Sequence, residues 1–271
     1  VYKRQSSRGS RATAMNRRAL ITGASAGLGA EFARQLAAGG DDLVLVARRA
    51  DKLEALAAEL RDAHGVDVVV MAVDMTDPGA PAQLFRQTQE RGLQVDFLVN
   101  NAGSEGPDLL RTRDWSRHDA YLRLMMTSVA AMCHEFIPGM LERGFGRVIN
   151  VASVAGRMTV NGDYSYGPTK AYLIALSKGL ASSCHNRGVN VMALCPGFTH
   201  TEFHASDTLT AMKKATPTFI WYDADIVIRE GLIALEKGKD EYTSGRLYRF
   251  IVPVLRQRWT RGLLSMLGVR L

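Results

Sequence analysis

From Arg18 onward the chain alternates between short apolar runs and longer stretches that mix apolar and polar residues. The runs are ALIT (19–22), DLVLVA (42–47), DVVVMAVD (67–74), VDFLVN (95–100), RVINVAS (147–153) and NVMALC (190–195). A strand with one wet face alternates apolar and polar residues. These runs are apolar at nearly every position, which predicts strands covered on both faces, as in a parallel sheet. The intervening stretches include LGAEFARQLAAGG (28–40) and DKLEALAAELRDAHG (51–65), the second with apolar residues at helical spacing and a closing glycine. Strand–helix alternation predicts βαβ units, and so an α/β fold with one doubly wound parallel sheet flanked by helices. Ligands of such sheets bind beyond the carboxyl ends of the strands, so functional residues are expected there.

Size and charge narrow the alternatives. The 271 residues, 46% of them apolar, suffice for one large core. The net charge of +7 invites a nucleic-acid reading, but its distribution argues against one. Residues 1–18 hold six basic residues (Lys3, Arg4, Arg8, Arg11, Arg17, Arg18) and no acid, and residues 246–271 hold six arginines and no acid. Setting those twelve aside leaves 22 basic against 27 acidic residues, a core of −5 with no basic groove expected across it. Cys133, Cys184 and Cys195 form no paired framework and read as small core residues of a protein from a reducing, cytoplasmic compartment. The six histidines form no ligand cluster, so no metal is expected. Residues 1–14, VYKRQSSRGSRATA, are expected to be a disordered and non-native basic lead-in, with Met15 the natural start and residues 15–245 the dinucleotide-binding catalytic domain. No run of about 18 uninterrupted apolar residues occurs, so no spanning helix is expected.

Three stretches carry candidate chemistry. TGASAGLG (22–29) runs from the first strand straight into the first helix. Gly23 permits a tight turn, Gly27 lets backbone approach a ligand, and Gly29 lets helix pack closely on strand. With Ala24, Ser25, Ala26 and Leu28 they form a loop whose free helix-start N–H groups suit a pyrophosphate, which makes the sheet Rossmann-type. An ordinary glycine-rich turn is the bland alternative. The second strand ends in Arg48 and Arg49 with no carboxylate. A free ribose 2′-hydroxyl favours an acid there and a 2′-phosphate an arginine, so NADP(H) is expected rather than NAD(H), against two merely solvated arginines. In YSYGPTK (164–170), Tyr166 stands four residues before Lys170, and on a helix the two share a face. A free phenol titrates at about 10, too high for acid/base work at neutral pH. A neighbouring ammonium favours the phenolate and is expected to lower that value. The bland alternative is a surface helix bearing one aromatic and one charge.

Taken in order, the motifs resemble those of the short-chain dehydrogenase/reductase family over residues 17–203: TGASAGLG (22–29), Asp74 after the third strand, NNAG (100–103) after the fourth, Ser153 after the fifth, Tyr166-x-x-x-Lys170, and PGFTHT (196–201) after the sixth. The resemblance implies an NADP(H)-dependent oxidoreductase acting on a carbonyl compound or secondary alcohol. Tyr166 would exchange a proton with the substrate oxygen as hydride moves, Ser153 would hold that oxygen, and Lys170 would hold the nicotinamide ribose hydroxyls. It further implies that Asp74 bonds the adenine amino group beside Met75, and that Asn101, Ala102 and Gly103 line the cofactor. Thr199 would reach the carboxamide after Pro196 and Gly197, and the protein would be a homodimer or homotetramer. One departure stands out. Many members carry an asparagine in the helix before the fifth strand, and counting back from Pro138 that position is Met125. A thioether cannot donate as an amide does. Either Thr127 or Ser128 substitutes after a register shift, or proton relay runs differently.

The competing reading is a non-catalytic NADP-binding sensor or scaffold, against which an intact Ser153, Tyr166 and Lys170 weigh. In this family the segment at 200–226 forms a substrate lid, and Phe203, Phe219, Trp221 and Tyr222 there suggest a hydrophobic substrate, with simple core packing as the alternative. The basic, apolar extension 246–271 is expected to start a helix near Pro253 and run to Leu267, with Leu255, Trp259, Leu263 and Met266 on one face and Arg258 and Arg261 opposite. That face would pack on the lid or a second subunit, or lie as a peripheral contact in the membrane interface.

Overall fold

A computed structural model of the protein describes residues 17–158, 162–200, 220–245 and 247–250. Its centre is a sheet of β1 (Arg18–Thr22), β2 (Asp42–Ala47), β3 (Val68–Ala72), β4 (Phe97–Asn100), β5 (Gly146–Val151), β6 (Val189–Cys195) and β7 (Glu241–Thr243). The strands lie in the order β3-β2-β1-β4-β5-β6-β7, and every neighbouring pair is parallel. The chain winds outward from β1 to β3, then returns to β4 on the other side of β1. The connections leaving β1 and β4 therefore diverge and open a crevice at their carboxyl ends.

Among the described residues the sheet is covered by the helices α1 (Gly27–Ala38), α2 (Ala50–His64), α3 (Ala80–Glu90), α4 (Trp115–Leu122), α5 (Ser128–Glu142), α6 (Tyr166–Cys184) and α7 (Ala224–Glu236). Successive strand residues enter opposite apolar layers. Ala19 and Ile21 of β1 join Phe32 and Leu36 of α1, Leu53 of α2 and Ile228 of α7, whereas Leu20 joins Leu84 of α3 and Met132 and Phe136 of α5. Both faces of each central strand are thus dry, which is why the apolar runs are continuous rather than alternating.

All six expected strands are present, β2 with the expected bounds and the others with shifted ends. β1 begins at Arg18 because that guanidinium bonds Asp42 at 3.2 Å and Asp67 at 2.7 Å across the sheet edge. β3 and β4 are shorter than the apolar runs around them. β5 stops before Ser153, since the chain there turns into a short 3₁₀ turn, Val154–Arg157. β7 was not anticipated: Glu-Tyr-Thr is too short and too polar to leave an apolar signature. A single π-turn, Arg123–Thr127, joins α4 to α5, so Trp115–Glu142 is one continuous helical run. By length and composition that run could cross a bilayer, which the search for an uninterrupted apolar run did not anticipate. Its residues Met132, Cys133, Phe136, Ile137 and Met140 pack on the sheet, as in the core helix of a folded domain. The lead-in 1–14 with Met15, most of the 200–226 segment (Phe203 and Phe219 included), and the extension's Pro253, Leu255, Arg258, Trp259, Arg261, Leu263 and Met266 lie outside the described residues.

The amino end of the sheet is closed by a bidentate pair, Arg17 Nε to Asp41 Oδ1 at 2.8 Å and Arg17 Nη2 to Asp41 Oδ2 at 3.0 Å, with Asp41 1% exposed. Asp41→Ala removes the buried partner of a partly buried guanidinium. Urea unfolding of the variant is expected to show a loss of about 3 kcal/mol. A loss below about 1 kcal/mol, the range of an exposed pair, would show that the pair is no more than surface decoration.

Candidate active site

The glycine loop sits where the order of strands reverses. Gly23 has φ +68° and Gly27 φ +57°, the left-handed region in which a side chain is strained. Gly29 is fixed by closeness: a Cβ there would lie 2.2 Å from Gly23 O and 2.6 Å from Asn101 Nδ2. Thr22, the last residue of β1, ties the loop to the end of β4. Its Oγ1 accepts from the N–H groups of Asn101 at 3.0 Å and Ala102 at 3.1 Å. Asn101 Nδ2 in turn donates to Thr22 O at 3.1 Å and Gly23 O at 3.2 Å. The amino end of α1, with Ala26 in extended backbone, receives no side-chain cap. Helix-start N–H groups left to an incoming anion are what a pyrophosphate requires. Among the flanking residues, Arg49 leans over this loop, donating from Nη2 to Ser25 Oγ at 3.0 Å and from Nε at 3.3 Å. Arg48 beside it is exposed. The loop therefore has the shape and donors to receive a dinucleotide, and the arginine at its rim suits a further phosphate.

The candidate reacting group, Tyr166, stands at the start of α6. α6 starts at Tyr166, with Asp163 Oδ2 accepting from Gly167 N at 2.8 Å in place of a side-chain cap from Ser165. One turn on, Lys170 is buried, donates from Nζ to Val151 O at 2.8 Å, and holds Nζ 5.5 Å from the centre of the Tyr166 ring. Ser153 follows β5, and its hydroxyl accepts from Ala155 N at 3.1 Å and acts on the Tyr166 phenol to lower its pKa. Sequence pattern expected the ammonium to lower the phenol's pKa. Burial instead dominates and pushes Tyr166 up to about 12, with the Ser153 hydrogen bond acting to lower it. The same burial pulls Lys170 down to about 8. A dry site disfavours both charged forms, and the amine's single fixed acceptor is a neutral carbonyl.

The remaining expected residues divide. Ala102 and Gly103 continue the loop after β4, and Gly103 lies against Met125: a Cβ there would be 3.2 Å from the Met125 sulfur. Thr199 is buried and donates to Gly197 O at 3.1 Å, while Pro196 O accepts from Val154 N at 3.0 Å. Those two residues hold the Ser153 turn and the loop after β6 together. Asp74 is exposed and accepts at Oδ1 from Thr76 N and Thr76 Oγ1, both at 2.9 Å, with Met75 buried beside it. Neither register-shift candidate replaces the missing asparagine. Ser128 donates to Leu124 O at 2.8 Å within its own helix and Thr127 is exposed, while Met125 is 1% exposed at the π-turn.

Sequence reasoning missed several contributors. Thr22 closes the first apolar run and opens the glycine loop, and a polar residue ending an apolar strand is itself a signal of its tie to β4. Asn100 and Asn150 form a buried pair at 2.8 Å, and Asn150 donates on to Ser177 Oγ at 2.9 Å, bracing β4, β5 and α6. Tyr248 fills the space over Gly197 and bonds both sides of the crevice loop, accepting from Phe198 N at 3.2 Å and donating to Ile220 O at 2.9 Å. Nothing in local spacing marked it.

Known proteins share this fold. The short chain dehydrogenase family matches residues 17–211. The chain is similar to the 7beta-hydroxysteroid dehydrogenase of Collinsella aerofaciens, 31% identical over 182 residues that cover 67% of this chain and 68% of that one. It is similar to the serine 3-dehydrogenase of Agrobacterium fabrum, 36% identical over 190 residues that cover 68% and 72%. In structure it resembles a short-chain dehydrogenase from Sphingobium yanoikuyae in complex with NADPH, with a TM-score of 0.77, 29% identity, and 92% of this chain and 95% of that chain covered. With the family matched across most of its length on a doubly wound sheet, this chain belongs to the short-chain dehydrogenases.

Proposed function

We propose that the protein is an NADP(H)-dependent oxidoreductase that interconverts a hydrophobic carbonyl compound and its secondary alcohol, with Tyr166 as acid/base. The observation that carries this reading is the convergence of Ser153, Tyr166 and Lys170 at the crevice mouth opposite an uncapped glycine loop. When bound, the nicotinamide supplies or accepts the hydride. The chain's own residues handle the proton and the geometry. Tyr166 gives its hydroxyl proton to the substrate oxygen during reduction and takes it back during oxidation. Ser153 bonds the same oxygen, holding it against the phenol, and its hydrogen bond favours the phenolate left behind. Lys170, fixed on Val151 O, presents an amine to the cofactor's ribose side of the crevice and adds positive charge near the ring. Asn101, Ala102 and Gly103 would line the cofactor after β4, Asp74 and Met75, just past the third strand, would hold the adenine, and Thr199 would hold the carboxamide.

Arg48 and Arg49 support NADP(H) over NAD(H), Arg49 already lying on Ser25 of the phosphate loop. The solved NADPH complex of a structural neighbour supports the same choice. The two curated relatives act, by their names, on a steroid and on serine, so kinship by itself leaves the substrate open. The apolar residues of the segment at 200–226 support a hydrophobic one. Association into a homodimer or homotetramer and a cytoplasmic location accord with this reading, and no nucleic acid is expected as a partner.

Three outcomes test the reading. Arg49→Ala should raise the NADPH KM by about tenfold or more, the worth of one charge-assisted contact, and leave the NADH KM nearly unchanged. Equal effects on both cofactors would remove the basis for the preference. Tyr166→Phe should lower turnover by at least about a thousandfold while NADPH fluorescence titration shows affinity within about twofold, since only the transferable proton is gone. Substantial turnover in that variant would sink the mechanism. The two directions should also differ in pH dependence. Reduction needs the protonated phenol, so its rate falls as pH rises toward the Tyr166 pKa. Oxidation needs the phenolate and speeds up over the same range. Parallel profiles in both directions would place the proton on another group.

A further inference from the structure

Behind the catalytic serine lies a set of charged and sulfur groups that the mechanism leaves unused. The 3₁₀ turn that begins after Ser153 ends at Arg157, whose guanidinium pairs with the carboxylate of Glu241, the first residue of β7. The Glu241 side chain is only 6% exposed. A carboxylate so enclosed must be matched, since leaving it alone would cost several kcal/mol. Its partners are Arg157, Lys178 Nζ at 3.5 Å and the Cys195 thiol, which donates to Oε1 at 3.7 Å. Arg157 Nε is buried with no hydrogen-bond partner among the described residues, so its guanidinium is held through its other nitrogens, on Glu241 and toward Cys195.

We propose that Glu241, acting through Arg157, is a positioning residue that fixes the Ser153 turn from the sheet edge, so that β7 belongs to the catalytic apparatus. The inference rests on the oxidoreductase reading above, in which Ser153 holds the substrate oxygen. The turn is four residues long. Its first and third residues are held: Val154 N donates to Pro196 O at 3.0 Å, and a Cβ on Gly156 would meet the α6 backbone at Lys170 C, 2.6 Å away. Its far end has one backbone bond, Met158 N to Ala155 O at 3.2 Å, and the ion pair to Glu241. Ala155 is also the residue whose amide orients the Ser153 hydroxyl. Release of Arg157 thus removes the side-chain tie at the carboxyl end of the turn and loosens it two residues beyond the amide that aims the serine. β7 is held in register on the end of β6, with Thr243 opposite Cys195 and Ser244 N donating to Cys195 O at 3.3 Å. Glu241 is therefore a fixed post rather than a surface charge.

A positional role and a purely electrostatic one move Tyr166 in opposite directions. The groups facing the phenol are Ser153, Asp163, Lys170, Cys195 and Tyr121. The Ser153 hydrogen bond lowers the phenol's pKa, so loosening the turn raises it. Loss of a nearby negative charge alone would favour the phenolate and lower it.

The test is Glu241→Gln in the full chain, assayed with NADPH and acetophenone and, in reverse, with NADP and 1-phenylethanol. Positioning predicts a kcat lower by about tenfold or more with the NADPH KM within about twofold. It also predicts an alcohol-oxidation profile displaced to higher pH, and faster hydrogen exchange at residues 154–157 with unchanged exchange across the glycine loop. Arg157→Lys, which keeps a cation for Glu241, should retain most of the rate, and Arg157→Met should reproduce Glu241→Gln. An unchanged kcat, a profile displaced to lower pH, or equal losses in kcat and NADPH affinity would overturn the proposal. So would failure of both Glu241→Gln and Arg157→Met to fold, since the pair would then serve stability alone. Wild-type protein inert toward a panel of ketones and alcohols would overturn the oxidoreductase reading instead. The exchange measurement then decides the positional claim by itself, unaltered exchange at 154–157 ruling it out.

Discussion

The helix α1 can begin directly on top of the sheet only because Gly29 has no side chain. A single added carbon would lie 2.2 Å from the Gly23 carbonyl oxygen, far inside van der Waals contact, and would push the helix off the strand. That approach brings the amino end of α1 to the crevice, where its dipole and free N–H groups face the position of a phosphate. Thr22 and Asn101 then lock the loop to the end of β4 with four hydrogen bonds. Hence the reversal of strand order is not merely where a crevice opens. It is where three backbone segments are drawn together tightly enough to present their polar groups in one direction.

Across the crevice, dryness shapes the chemistry. Burial raises the Tyr166 phenol to about 12 and lowers Lys170 to about 8, so the protein alone holds its acid protonated and weakens its cation. Ser153 acts against the first effect through its hydrogen bond, and Val151 O gives the amine a fixed partner. Cys195, at the end of β6, sits in the same enclosed volume and is itself pushed up to about 11 by burial, with Arg157 and Lys170 opposing. The site is thus an interior cluster opened at one end rather than a surface patch, and shape around Ser153 matters as much as charge.

Met125 fits this picture of a sealed interior. It packs its sulfur toward Gly103 at the π-turn between α4 and α5, a local widening of the helix often found beside functional sites. Where the family resemblance implied an amide, this chain places an apolar side chain with no hydrogen-bond donor. Gly103 of the NNAG segment therefore meets a thioether, whereas Asn100 at its start stays in the buried amide pair with Asn150.

Much was settled locally. The continuous apolar runs, the glycine spacing in TGASAGLG and the four-residue step from Tyr166 to Lys170 are short-range properties, and each is read from neighbours in the chain. They gave the parallel sheet, the position of the phosphate loop and the shared helical face of phenol and amine. Strand ends were less legible, because Arg18 enters β1 through ion pairs with Asp42 and Asp67 that no local pattern contains. The tertiary structure alone decided which way the Tyr166 pKa moves, since burial is a sum over the whole fold and outweighs one nearby ammonium. It alone decided that Met125 is core, that Tyr248 covers Gly197, and that Glu241 of an unforeseen strand reaches the turn carrying Ser153. Those contacts join residues dozens of positions apart, and a sequence pattern sees spacing along the chain but not closeness across it.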